Sequence, residues 1–166
     1  MEPSFDHLTV FAEVSAAIVG FVAIFLVLVR REEKFPPEDA IRIRALILIG
    51  FTGIFMSLLP IAISRGSFPV DEIWIISSAA FIVLVGSGSG YIAIRHFELP
   101  DSARDNIPIW NLLIAWTFVG ISGVLLGSNV LQAPVFGYSF SYTAALLLVL
   151  AAGATNFYTI AIQKLL

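Results

Sequence analysis

The sequence predicts an all-α integral membrane protein, a compact bundle of five transmembrane helices. Three observations predict it. Apolar runs near residues 8–29, 41–63, 73–94, 109–131 and 142–163 occupy about two-thirds of the 166-residue chain, and a bilayer-crossing helix needs about 20 mostly apolar residues. Hydrophobic residues make up 58% and charged residues 13% of the chain, against about 45–50% and about 25% in soluble domains. The runs are continuous rather than alternating and too long for barrel strands. With no water in the hydrocarbon, each must satisfy its own backbone as a helix. No connector is long enough for a soluble domain, so residues 1–166 read as one transmembrane domain.

Each span has its own boundaries. The stretch before the first is acidic and lacks the basic region of a signal peptide, so the first run is expected to stay as a span. It closes in Arg30-Arg31-Glu32-Glu33-Lys34. Phe35-Pro36-Pro37 then turns the chain, and Glu38 and Asp39 fall in the first turn of span two, where the helix dipole favours acids. Arg42 and Arg44 follow and are expected to snorkel to lipid head groups. Span two holds Pro60 near its end and stops at Ser64-Arg65-Gly66, with Gly66 read as a left-handed cap and Pro69 as a block. Asp71 is the expected cap of span three, which ends at Arg95-His96 before Pro100. Residues 101–107 form a polar connector with a weak helical start at Ser102, and Pro108 opens span four. Pro134 closes that span, and span five carries Tyr142 near its start.

Orientation follows from the basic residues. Arg30, Arg31, Lys34, Arg42, Arg44, Arg95, Arg104 and Lys164 share one side, leaving Arg65 alone on the other. The positive-inside rule therefore predicts an outer N-terminus and a cytoplasmic C-terminus, in a plasma or bacterial inner membrane. The cluster of Arg30, Arg31, Lys34, Arg42 and Arg44 reads as a topology signal that also meets anionic head groups.

Glu13 is the sole acid inside an apolar run, about one and a half turns into span one from the predicted outer side. A carboxylate in a span demands compensation. The helical period puts it on a face with Thr9, Ala16, Ala17, Gly20 and Ala23, and a small face lets another helix approach. Glu13 is thus expected to point into the bundle, as a pathway residue or an interhelical hydrogen-bond partner, with Asn129 and Ser57 at similar depth. On span four, Asn111, Ser122 and Asn129 share a mildly polar track that either lines a passage or bonds to neighbouring helices. Ala16 with Gly20, Gly86 with Gly90, and Gly120, Gly123 and Gly127 read as helix-packing seams, some for the bundle and the rest for a homo-oligomer. The run Gly86-Ser87-Gly88-Ser89-Gly90 also permits a break in span three. The loop over residues 132–142, with Phe136, Tyr138, Phe140 and Tyr142 and no charge, suits an interface or an outer partner.

Enzyme readings fare poorly. Gly120-Ile121-Ser122-Gly123 is similar to the short Gly-x-Ser-Gly motif of rhomboid-type intramembrane proteases. The two histidines, His7 and His96, fall at opposite membrane surfaces, too far to serve Ser122 as a base. Cysteine is absent, which removes thiolate chemistry, and two distant histidines make a poor metal set. The net charge of −3 gives no footprint for nucleic acid. No enzyme activity, cofactor or metal is expected. Two classes remain: a small channel or transporter for an ion, proton or small solute, preferred because Glu13 and the track need a reason, and a non-catalytic accessory or scaffold subunit. Lipids, a second copy and other membrane proteins are the expected partners.

Overall fold

The computed structural model describes residues 5–29 and 36–165. Among these residues it is all-helical: α1 (Asp6–Val29), α2 (Pro37–Ser64), α3 (Val70–Phe97), the short α4 (Asp101–Arg104), α5 (Ile109–Val130) and α6 (Tyr138–Leu165). Five of the six are long and apolar enough to cross a membrane. They match the five runs, extended by a few residues where polar ends continue the helix. Arg30, Arg31 and Lys34 lie outside the described residues.

The helices form a ring. α2 packs on α3, α3 on α5, α5 on α6, and α6 back on α2, while α1 lies against the outside of α2 and only grazes α6. Pairs of contacting residues set the alternating directions. The start of α6 meets the end of α2 through Tyr142 and Met56, and the end of α5 meets the start of α3 through Asn129 and Ser78. The bundle therefore has a turn end, with the start of α1 and the α2–α3 and α5–α6 turns, and an α4 end.

Local chemistry places the boundaries. Pro37 starts α2 with Glu38 and Asp39 in its first turn. Arg104 Nη2 donates to the Phe97 and Leu99 carbonyls, at 3.1 and 3.0 Å, satisfying acceptors that the end of α3 leaves open. Asn106 Nδ2 donates to Glu38 Oε1 at 2.9 Å, tying the connector after α4 to the start of α2.

Three local expectations, on Gly66, Asp71 and Arg42, are corrected, and of the two readings of span three the intact helix is the one found. Gly66 is not left-handed: its amide donates to the Ile63 carbonyl at 2.9 Å, a tight last turn that needs no positive φ. Among the described residues the left-handed ones are Gln132 (φ 56°) and Gly137 (φ 97°), in the α5–α6 turn. Asp71 does not cap α3; Pro69 holds that position and Asp71 sits in the first turn. α3 runs unbroken through residues 86–90, because each amide can still reach its carbonyl four residues back. Arg42 does not snorkel: it is 4% exposed, with Nη1 4.0 Å from Asp39 Oδ1, because its side of α2 faces the ring. Arg44, on the exposed side, lies 3.4 Å from the Tyr91 hydroxyl.

Candidate functional site

The two halves of the ring differ. Toward the turn end the ring is filled. Tyr142 is fully buried, 5.4 Å from Trp74 and 5.5 Å from Phe81 by ring centres. Its hydroxyl donates to the Met56 carbonyl at 2.6 Å. That carbonyl is the one Pro60 strands, since proline has no N–H to donate four residues back. Tyr142 thus supplies from α6 the hydrogen bond that α2 cannot make for itself.

Asn129, also fully buried, donates through Nδ2 to Ser78 Oγ and to the Tyr138 carbonyl, both at 3.0 Å. Ser122 Oγ lies 2.7 Å from the Phe118 carbonyl and 3.2 Å from that of Ala145, so its one proton is shared between α5 and α6. Thr143 donates to the Ser139 carbonyl at 2.8 Å and lies 3.2 Å from His7 Nε2, joining α1 to α6. These groups tie the helices of this half together.

Toward the α4 end the ring opens around a cavity of about 150 Å³ between α2, α3, α5 and α6. Its wall is mostly aliphatic, with Ile49, Leu84, Ile92 and Val119 among the lining. Thr52, Ser89 and Asn111 also line it, and none of these three side chains makes a hydrogen bond among the described residues. Thr52 is 8% and Asn111 4% exposed, so their polar atoms have the cavity as their outlet. Asn156 lines it too and donates through Nδ2 to the Arg42 carbonyl at 3.1 Å. An unsatisfied polar group in an apolar interior is unfavourable by roughly 1–3 kcal/mol. A polar occupant relieves that.

The sequence-derived candidates divide accordingly. Asn111, Ser122 and Asn129 do share one inward face of α5, but only Asn111 reaches the cavity; the other two are interhelical ties. Glu13 is not brought near them. It is exposed, together with Ala16, Ala17, Gly20 and Ala23, so the expected inward face of α1 is its outward face. The inward stripe is Leu8, Ser15 and Val22, at heptad spacing. Glu13, two residues from Ser15, lies about 200° round the helix from it.

The reason is where the close approach occurs. A Cβ on Gly53 would strike the Ser15 side chain, and one on Gly50 would strike Val19. The small residues that let α1 and α2 meet are therefore on α2. Gly153 does the same for α6 against Ile49 of α2. A Cβ on Gly20, Gly86, Gly90, Gly120, Gly123 or Gly127 meets nothing within 4 Å. The seams read from sequence are unused within the described residues. Thr52 and Ser89 were missed as cavity residues, and nothing in their spacing marks which face of a uniformly apolar helix turns inward. No protein-family model, curated protein or solved structure matches the chain.

Proposed function

We propose that this chain is a small multi-pass channel or transporter that takes a small solute into the cavity at its α4 end. The observation that supports this is the asymmetry of the ring: one half is filled by aromatic packing and interhelical hydrogen bonds, while the other opens around a cavity lined by Thr52, Ser89 and Asn111. Such a shape suits a carrier caught facing one side, with the tied half as the closed gate. On this reading the sorting of basic residues supports a cytoplasmic α4 end and an outer turn end, in a plasma or bacterial inner membrane. Glu13 has no place on this route, since it faces away from the ring.

Flux in proteoliposomes tests the reading, across protons, monovalent cations, anions and neutral solutes. Gly88 lines the cavity and a Cβ there meets nothing within 4 Å, so Gly88→Leu is chosen to add bulk at the cavity wall. The expected result is a wild-type flux lost in Gly88→Leu and unchanged in Glu13→Gln. Silence in folded wild-type protein overturns the reading.

A second reading, a non-catalytic accessory subunit or a homo-oligomer, is favoured by the outward glycines of α3 and α5 and the outward Glu13 face of α1. Such faces suit helices from a second copy or another membrane protein. Native mass in mild detergent separates the cases: partners or copies lost on Gly123→Leu support it, and a lone chain speaks against it.

A further inference from the structure

The cavity's chemistry narrows what fits it, on the reading that this cavity is the solute site. We infer that it takes an uncharged, largely apolar molecule whose enclosed part is about six or seven non-hydrogen atoms, the scale of a cavity that admits benzene, carrying a hydroxyl or carbonyl that bonds Asn111 or Thr52.

Charge is the first argument. The polar side chains that open onto the cavity without an internal partner, Thr52, Ser89 and Asn111, are all neutral. No carboxylate lines it among the described residues. Arg42 lines it, with Nε and Nη2 buried and Nη1 4.0 Å from Asp39 Oδ1, so its charge is offset within α2. His96 lies far along α3 and lines the cavity at its α4-end rim. A cation drawn inside would lose its hydration and meet no carboxylate, and an anion would meet only Arg42, whose charge Asp39 already offsets, so either is unfavourable. A single neutral polar group loses little and recovers its hydrogen bond.

Hydrogen-bonding capacity is the second. Asn111 offers an amide that both donates and accepts, and the Thr52 hydroxyl does likewise. Asn111 stands near the start of α5, toward the α4 end, and Thr52 about midway along α2, so polar partners lie on two sides of an apolar body. Access is the third. Leu84 and Trp116 line the cavity and are also 36% and 49% exposed, so it reaches the lipid-facing surface between α3 and α5. A molecule dissolved in the bilayer can enter sideways.

Trp116 provides the readout. Full-length protein in lipid nanodiscs is titrated with bromohexanol, bromohexanoate and bromohexane, whose bromine quenches indole fluorescence. Probe dissolved in the bilayer adds a background that does not saturate. The expected result is saturable quenching by bromohexanol, absent in Trp116→Phe and Gly88→Leu. It should be about tenfold weaker in Asn111→Leu, the loss of one hydrogen bond. Saturation by bromohexanoate at equal or lower concentration overturns the inference, as does bromohexane matching the alcohol. Quenching that never saturates overturns it too. Saturable alcohol binding without flux of any solute keeps the inference and removes transport; ion flux without alcohol binding does the reverse.

Discussion

Tyr142 and Pro60 show how one residue's meaning depends on another far away in sequence. Proline within a helix removes a hydrogen bond, and here the stranded Met56 carbonyl lies in a core where water is excluded. The Tyr142 hydroxyl fills it at 2.6 Å. Tyr142→Phe should therefore lower stability by about 1–3 kcal/mol, the range for an orphaned buried acceptor. In a Pro60→Ala background the helix supplies its own donor, so the same change should have a much smaller effect. A double-mutant cycle of thermal or denaturant unfolding in detergent measures the coupling; equal losses in both backgrounds would show that the hydroxyl has another role. The sequence marked Pro60 as a proline near the end of span two and Tyr142 as an interfacial aromatic, each sensible alone. The bond from Tyr142 to Met56, 86 positions away, was not legible, since no local pattern connects a missing amide to a distant phenol.

At the scale of elements, small residues decide which faces meet. Gly50 and Gly53 on α2 let α1 approach, and Gly153 on α6 admits Ile49. Gly53→Ala should destabilise by about 1–3 kcal/mol through overpacking against Ser15. Gly123→Ala meets open space and should be neutral or stabilising by up to about 1 kcal/mol, from helix propensity. Unfolding midpoints of the two variants check the contrast. Loss of stability in Gly123→Ala would mean that this face is covered by another chain. Helix existence was legible because length and hydropathy report it directly. Which glycine stripe packs was not, because in a span apolar all round every face is compatible with both lipid and protein.

At the scale of the whole molecule, the ring is filled at one end and open at the other. Aromatic packing of Trp74, Phe81 and Tyr142 and the Asn129–Ser78 bond hold the turn-end half. The α4-end half keeps a void beside Thr52 and Asn111. Local opening is easiest where few contacts must break. Amide exchange in detergent should be slower over residues 77–81, 126–129 and 142–146 than over residues 45–52, 84–92 and 111–119. Uniform protection of both sets would mean that the cavity is dry and rigid.

The sequence by itself determined five helices long and apolar enough for a bilayer, the proline and acidic starts of α2, and an inward polar face on α5. Those properties are carried by composition, length and helical period. Tertiary structure alone decided that Glu13 faces out, that Gly50, Gly53 and Gly153 are the close-packed glycines, and that Arg42 turns inward. It also decided that Asn111 opens onto a cavity while Ser122 and Asn129 hold helices together. The physical reason is rotational. A nearly all-apolar helix gains little from one orientation over another until neighbouring backbones meet, and only steric fit among helices then chooses the face.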